Sequence, residues 1–204
     1  MKKLLLILLW LPMIGFGQQT YVPDDNFEAY LENYGMGNGI LNDDYVTTAN
    51  ISTVTVLVVS SENISDLTGI EDFTALTYLQ CVSNQLTSLD VSANTALIEL
   101  ACYDNKLTYL DVSANTVLEG LECGDNQLTS LDVSSNPLLF NLLCSNNQLT
   151  SLDVSNNIDS LTILYCEENQ LTSLDVSANT ALTDLKCRGN KFDCDALKKK
   201  IGLD

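Results

Sequence analysis

The segment at residues 76–96, LTYLQCVSNQLTSLDVSANTA, decides the fold because the chain repeats it almost to its end. Further copies begin at Leu97, Leu118, Leu139, Leu161 and, in part, Leu182. Each copy has a cysteine at the same place, and successive cysteines are 21 or 22 residues apart: Cys81, Cys102, Cys123, Cys144, Cys166 and Cys187. A period of this length predicts a solenoid of stacked coils.

Apolar and polar residues alternate at two places within the unit, at residues 79–81 and at residues 89–91. This alternation predicts extended segments with one buried face. Asn84 and Asn94 follow the two segments at equal offsets, where an amide side chain can bend the chain and bond to its backbone. Each copy is therefore predicted to be one coil with two extended sides, and parallel strands should pair between neighbouring coils.

Four copies read LTYLQCVSNQL, LIELACYDNKL, LEGLECGDNQL and LTILYCEENQL, and all match LxxLxLxxNxL with cysteine in the last strand position. This pattern resembles the leucine-rich repeat, and the short unit is similar to that of internalin-like proteins, known from secreted and surface proteins of bacteria. The upstream segment NISDLTGIEDFTALTYL, residues 63–79, also resembles an internalin repeat. It completes an earlier copy in which Leu57 takes the place of Leu79 and Glu62 that of Asn84.

The resemblance implies a leucine-rich-repeat solenoid of 21–22-residue coils with a parallel β-sheet and little helix apart from short terminal capping helices. We expect residues 54–190 to form the repeat array. Residues 18–53 are predicted to be an N-terminal cap and residues 191–204 a C-terminal cap, because a solenoid must cover its open apolar ends.

The first 17 residues, MKKLLLILLWLPMIGFG, have two lysines, an apolar run and small residues near their end, as a secretory signal peptide does. The apolar run is short and contains Pro12, so a cleaved signal is expected rather than a membrane span. The sequence therefore predicts an exported protein, secreted or at the cell surface, that begins at Gln18.

Short helices are expected in both caps. In VPDDNFEAYLENYG, Asp25 is the expected N-cap and Gly35 should end the helix. Near the C-terminus, Asp193 or Asp195 is expected to begin a second helix. The loop NGILNDDYV offers a cation site through its two aspartates as an alternative, but it lacks the ligand spacing of an EF-hand, so we favour the cap.

The repeat cysteines are predicted to form a ladder of buried thiols in place of Leu, Ile or Val. Neighbouring strands lie ~4.8 Å apart, so disulfides within the ladder are the alternative. Stacked side chains that point the same way do not present the torsion that a disulfide requires. Cys194 lies outside the ladder, and a bridge to Cys187 would hold the C-terminal cap. Zinc is not expected, because the chain has no histidine and no CxxC pair.

A second ladder is acidic, because SLDVS or YLDVS recurs and places one aspartate per coil on the outside of the second side: Asp90, Asp111, Asp132, Asp153 and Asp175. Carboxylates ~4.8 Å apart repel by roughly 0.9 kcal/mol even in water. Hydrogen bonds from nearby serines, with raised pKa values, are the expected compensation. The alternative is a row of Ca²⁺ sites, since oxygens on successive coils suit a hard cation. No other cofactor is expected.

Charge and composition exclude several functions. The net charge of -18, with only 9 lysines and arginines, argues against binding to nucleic acid or to an anionic membrane. Without histidine there is no Ser-His or Cys-His nucleophile, and an open sheet is a poor place to desolvate an acid. We therefore do not expect an enzyme.

The exposed positions of the main sheet vary between copies, whereas those of the second side are nearly all Ser and Asp. A varied surface with aromatic residues can carry specificity. The candidate contact residues are Tyr78, Tyr103, Glu122, Leu143, Tyr165 and Glu167, with the two glutamates and the tyrosines at 103 and 165 as the preferred centre. We expect a binding module for an extracellular protein or glycan. The alternative is a structural component of the cell envelope or matrix, stabilised by Ca²⁺.

One copy is longer by a residue, and the extra residue lies between Asn157 and Leu161. We expect a bulge at this bend that leaves the stacking of the coils intact.

Overall fold

The computed structural model describes residues 17–203, so the predicted signal peptide lies, except for Gly17, outside the described residues. The elements in chain order are β1 (Gln19–Tyr21), α1 (Asp25–Asn33), β2 (Tyr45–Thr47), α2 (Thr48–Ile51), β3 (Val56–Val58), a 3-10 helix (Ile70–Asp72), β4 (Tyr78–Gln80), β5 (Glu99–Ala101), β6 (Gly120–Glu122), β7 (Asn141–Leu143), β8 (Ile163–Tyr165), β9 (Asp184–Lys186) and α3 (Cys194–Ile201). Strands β1 and β2 pair antiparallel in the N-terminal region.

Strands β3 to β9 form one parallel sheet in which every strand pairs with the strand of the next coil. Their central residues stand in register and are all buried leucines: Leu57, Leu79, Leu100, Leu121, Leu142, Leu164 and Leu185. Because each coil repeats the same apolar positions, stacking produces one continuous core. The predicted leucine-rich-repeat solenoid is confirmed, and the copy that begins before Asn63 is its first coil.

The prediction of paired strands on the second side was wrong for most coils. Within residues 17–203, pairing on this side is limited to a single bridge between Asp90 and Asp111. The backbone N–H of Ser92 donates to Oδ1 of Asp90 at 2.9 Å, and the equivalent bond recurs in the next four coils. The aspartate side chain thus takes a backbone donor that a second sheet would need.

The repeat cysteines line the core beside the leucines. Five are buried free thiols: Cys81, Cys102, Cys123, Cys144 and Cys166. The sixth, Cys187, is joined to Cys194 by a disulfide, with 5.5 Å between the Cα atoms. Both expectations for the cysteines are confirmed, and the disulfide ties the start of α3 to the last coil.

A buried asparagine fixes the first bend in five successive coils. In the coil of β6, Nδ2 of Asn126 donates to the carbonyl oxygens of Cys102, Cys123 and Gly124, at 3.0 to 3.2 Å. Its Oδ1 accepts from the backbone N–H of Leu107 at 2.9 Å. One side chain therefore satisfies four backbone groups from two coils, and the same arrangement recurs at Asn84, Asn105, Asn147 and Asn169.

The residue before each of these asparagines has a left-handed backbone, with φ between 50° and 56° at Ser83, Asp104, Asp125, Asn146 and Glu168. This conformation turns the chain out of the strand. Asn and Asp tolerate it better than most residues, which accounts for their frequency here.

The asparagines at the second bend are also buried, but they bond differently. Nδ2 of Asn136 donates to the carbonyl oxygens of Val112 and Asn115, at 3.0 and 2.9 Å. Its Oδ1 is buried and accepts no hydrogen bond within the described part of the chain.

The extra residue is absorbed at the second bend, as predicted. The N–H of Leu161 donates to the carbonyl of Asn157, four residues back, whereas that of Leu139 donates to Asn136, three residues back. Strands β7 and β8 keep the common register, in which Leu142 pairs with Leu164. The bend therefore lengthens while the sheet continues unchanged.

The N-cap of α1 is Asp24 rather than the predicted Asp25. Oδ1 of Asp24 accepts from the N–H groups of Asn26 and Phe27, and Oδ2 accepts from the N–H of Ser65 in the first coil. Asp24 thus caps the helix and attaches it to the array, which Asp25, inside the helix, cannot do. Helix α1 ends at Asn33, two residues before Gly35, whose φ is 73°.

At the C-terminal end, Asp193 is the N-cap of α3, and its carboxylate accepts from the N–H of Ala196 at 2.9 Å. Of the two aspartates that the sequence allowed as the start of this helix, Asp193 and Asp195, it is therefore Asp193 that caps it. Lys198, Lys199 and Lys200 lie in the last turn, where positive charge suits the helix C-terminus.

Replacing Asn126 by alanine should lower the free energy of unfolding by about 2–4 kcal/mol, because four buried backbone groups lose their partner. The Asn136→Ala variant is the matched comparison in the same repeat. It frees two carbonyls and should cost less. Urea denaturation followed by circular dichroism measures both changes. An equal or larger loss for Asn136→Ala would contradict the described roles.

The buried thiols predict a loss of stability at alkaline pH. Burial raises the pKa of Cys81, Cys123 and Cys166 to about 12, whereas a thiol in the unfolded chain ionises near about 8.5. The folded state therefore keeps protons that the unfolded state loses. The contribution is fully present below the unfolded pKa and is lost as pH rises towards 12, by about 1.4 kcal/mol per pH unit for each thiol.

Urea titrations between pH 8 and pH 10 measure this slope, and Cys123→Val is the matched variant because it keeps an apolar group in the ladder. Its free energy of unfolding should fall less steeply with pH than that of the natural chain. Parallel slopes would show that Cys123 is not protonated in the folded state.

Candidate recognition surface

The outward side chains of the sheet form three columns across the coils, because all strands share one register. The first column consists of Tyr78, Glu99, Gly120, Asn141, Ile163 and Asp184; the second consists of Gln80, Ala101, Glu122, Leu143, Tyr165 and Lys186. The third column lies just beyond the strands and consists of Val82, Tyr103, Gly124, Ser145, Glu167 and Arg188, whose backbones bond from coil to coil.

The candidate contact residues are accessible to different degrees. Tyr103 is the most exposed, with 39% of its surface accessible. The other five are half-buried: Tyr78, Glu122, Leu143, Tyr165 and Glu167. Four further positions that the pattern predicts to be outward are buried instead, namely Val82, Ala101, Gly120 and Gly124.

The carboxylate of Glu99 was not among the sequence candidates, yet it occupies the middle of the surface. The carboxylate of Glu99 lies over Gly120, in the space that a Cβ at this position would take. Burial raises the pKa of Glu99, and the negative charges of Glu122 and Glu119 add to this effect. A glycine at a strand start, beside a glutamate in the preceding coil, was the available signal.

Tyr165 is held by contacts within the chain. Its hydroxyl donates to Oδ2 of Asp184. The ammonium of Lys186 lies 3.7 Å from the centre of its ring, in a cation–π contact. These contacts leave less of the Tyr165 side chain available to a ligand. Within the described residues, no such contact holds the ring of Tyr103.

The preferred centre therefore divides into two groups. Tyr103 lies in the third column beside Gly124, and Glu122 lies in the second column of that same neighbouring coil. Glu167 is three coils from Tyr103, which is roughly 14 Å at the usual strand spacing, and it shares its coil with Tyr165. A single small ligand would not contact both tyrosines, whereas a protein surface or an extended glycan would span them.

The five ladder aspartates are exposed, as predicted, but their pKa values are lowered rather than raised. The largest cause is hydrogen bonding from the serine two residues later, through its side chain and its backbone N–H. These bonds favour the charged carboxylate and outweigh the repulsion between coils. The ladder is therefore a row of ionised groups at neutral pH.

A different group of acidic residues brings three carboxylates close together. Ligand atoms of Asp25, Glu28 and Asp44 all lie within 4.8 Å of one another, and no other group of three or more carboxylates or thiols in residues 17–203 does so. The sequence alternative named Asp43 and Asp44. Glu28 is buried and accepts from the backbone N–H groups of both, so it already closes this loop onto α1.

The repeat geometry agrees with that of a solved bacterial protein. The functional domain of internalin J from Listeria monocytogenes, whose structure includes a cysteine ladder, is 44% identical to this chain, with a TM-score of 0.78. A stretch of 75 residues is also 45% identical to internalin J of Listeria monocytogenes serotype 4b. The chain is an internalin-like leucine-rich-repeat protein.

Two more internalins from the same species share the fold of this internalin-like chain. Internalin C2 is 19% identical with a TM-score of 0.61, over 91% of this chain and 95% of its own. Internalin F is 23% identical with a TM-score of 0.64, over 90% of this chain and 62% of its own. At these identities the likeness shows the fold alone. No family model matches the sequence.

The internalin-like chain spans only part of internalin J. The structural match covers 91% of this chain but 42% of the solved internalin J domain, and the sequence match covers 37% of this chain and 8% of the whole of internalin J. Among the helices that residues 17–203 form, none is both long and apolar enough to cross a membrane.

Proposed function

We infer that this chain is an exported binding module that recognises an extracellular protein or glycan through the three columns of its sheet. The observation that carries this proposal is the contrast between the repeated residues inside the coils and the varied residues on the outward face of the sheet. The leucines repeat in every coil and the cysteines and asparagines in all coils after the first, while the outward residues range from Gly and Ala to Tyr, Glu and Lys. Likeness to internalin J supports export and recognition, and the residues at 1–17 support a signal peptide.

The region around Tyr103 is the proposed centre of contact. Its ring is exposed, and Gly124 holds the equivalent position in the next coil. Glu99 and Glu122 add carboxylates that accept hydrogen bonds, from sugar hydroxyls or from a protein partner. Aromatic residues beside polar acceptors are frequent at binding hot spots. Tyr165 and Glu167 form a second contact region, which an extended partner would reach. Nothing in this arrangement requires catalysis, so no enzymatic role is assigned.

Replacing Tyr103 by alanine should weaken binding about tenfold or more, since an exposed aromatic residue at a contact centre often contributes that much. The chain from Gln18 is tested against a panel of glycans and extracellular proteins by surface plasmon resonance. Tyr34→Ala is the matched control, because Tyr34 is an exposed tyrosine at the end of α1, outside the sheet. Weakening by both variants, or by neither, would count against the proposed surface.

A structural role in the cell envelope, stabilised by Ca²⁺, is the second candidate. It is favoured by the uniform row of ionised aspartates and by the cluster of Asp25, Glu28 and Asp44. The ladder aspartates, however, already accept hydrogen bonds from serines, and these bonds stabilise their charge.

The melting temperature should accordingly be the same in excess Ca²⁺ and in excess EDTA, measured by differential scanning calorimetry. The Asp132→Asn variant separates the ladder from the cluster near α1. A lower melting temperature in EDTA that Asp132→Asn abolishes would place Ca²⁺ on the ladder. Such a result would favour the structural role.

A further inference from the structure

A groove of about 750 Å³ lies on the second side of the coils, at the N-terminal end of the array. It crosses three successive coils, and no residue of the sheet lines it. Its lining comes from residues 66–71 in the first coil, 87–92 in the second and 108–111 in the third. The first coil differs there from the later ones, because it has LTGI at residues 67–70 in place of LDVS, and this segment leads into the 3-10 helix, Ile70–Asp72.

Tyr109, at this groove, departs from the repeat. The equivalent residue in the other copies is a serine: Ser88, Ser130, Ser151 and Ser173. The Tyr109 side chain is 64% exposed, and its hydroxyl donates to Oδ2 of Asp111 at 3.4 Å. Since serine satisfies the fold in these four coils, the coil does not need an exposed ring here. Leu67, which is buried, and Leu89, which is half-buried, give the groove an apolar floor.

The groove is also strongly acidic. Four carboxylates line it, those of Asp66, Glu71, Asp90 and Asp111, and none of its lining residues is basic. Oδ1 of Asp66 accepts hydrogen bonds from the backbone N–H and the hydroxyl of Thr68. Oε2 of Glu71 accepts one from the backbone N–H of Gly69. Within residues 17–203, the second oxygen of each of these two carboxylates accepts no hydrogen bond.

We propose that this groove binds a lysine-bearing segment of another polypeptide. The alkyl stem of a lysine would pack on Leu89 and on the ring of Tyr109, and its ammonium would lie among the four carboxylates. This combination suits lysine, which has an apolar stem and a compact charge with three donors. Hydroxyl groups of Thr87, Ser88 and Thr108 border the groove and offer hydrogen bonds to the peptide backbone.

A metal ion fits the groove less well than a peptide. Ca²⁺ requires six to eight oxygen ligands around one point, and no three of these carboxylates come within 4.8 Å of one another in the described structure. A metal would also make no use of the apolar floor or of the tyrosine ring. Three coils of lining give room for several residues of an extended chain.

The test is an NMR titration of the chain from Gln18 with a tetralysine peptide whose ends are blocked. The predicted reporters are the backbone amides of Leu89, Ser92 and Tyr109. Tyr109→Ser restores the repeat sequence and should weaken binding at least about fivefold. Asp90→Asn combined with Asp111→Asn should weaken it about tenfold or more.

The matched control is Asp153→Asn combined with Asp175→Asn. These aspartates belong to the same ladder, accept the same serine bonds and change the net charge equally, but they lie outside the groove. The control should alter the affinity less than about twofold. Equal weakening by both aspartate pairs would mean attraction by net charge alone and would overturn the proposal.

Two other results would also overturn it: absence of peptide binding, and shifts of the reporter amides by Ca²⁺ but not by the peptide. The proposal is independent of the function proposed for the sheet. Tyr103→Ala should leave tetralysine binding unchanged, whereas Tyr109→Ser should leave binding to the sheet unchanged. Each surface can therefore fail its test without the other.

Discussion

The buried amide of one asparagine in each of five successive coils is the contact on which the stack depends. Where the chain leaves a strand, its carbonyls no longer have partners in the sheet, yet the bend lies inside the coil. An unpaired buried backbone group costs about 1–3 kcal/mol. Asn126 satisfies four such groups, taken from its own coil and from the preceding one. The same side chain thus makes the bend possible and joins neighbouring coils.

This constraint separates frame from surface. The inward-facing leucines, cysteines and asparagines stabilise the coils. Most outward residues of the sheet are therefore not needed for the fold and can vary. Glycine at 120 is an exception, since the Glu99 carboxylate occupies its side-chain space. On the second side, each aspartate bonds to the serine two residues later, which fixes Ser and Asp in most coils. Tyr109 departs from that rule and stands at the acidic groove, which makes it informative.

Much of the fold could be predicted from the sequence, because the same core and bend residues recur in several copies and each copy supports the same interpretation. The register of the cysteines, the disulfide to Cys194 and the bulge after Asn157 followed from spacing. The absence of a second sheet could not be predicted in this way. The alternation at residues 89–91 is typical of a strand, whether the backbone N–H groups of this segment bond to a neighbouring coil or to an aspartate. The N-cap was misplaced by one residue, because adjacent aspartates are equivalent in sequence and differ only in what they reach.

The candidate sites were less predictable. The pattern shows which residues point outward, and it placed Tyr103 and Glu122 correctly on the sheet. It does not show that Tyr165 is held by Lys186 and Asp184, because that contact depends on side-chain rotamers between coils. Nor does it show the groove, which exists because the first coil has a different shape from the others on its second side.

Hydrogen exchange at single amides tests the central role of asparagine most directly. The N–H groups of Leu86, Leu107, Leu128, Leu149 and Leu171 all donate to an asparagine Oδ1 of the next coil. If these bonds hold the stack, the leucine amides should exchange as slowly as the N–H of Cys102, which donates to a sheet carbonyl. Exchange of the leucine amides at the rate of exposed loop amides, while Cys102 stays protected, would contradict the account.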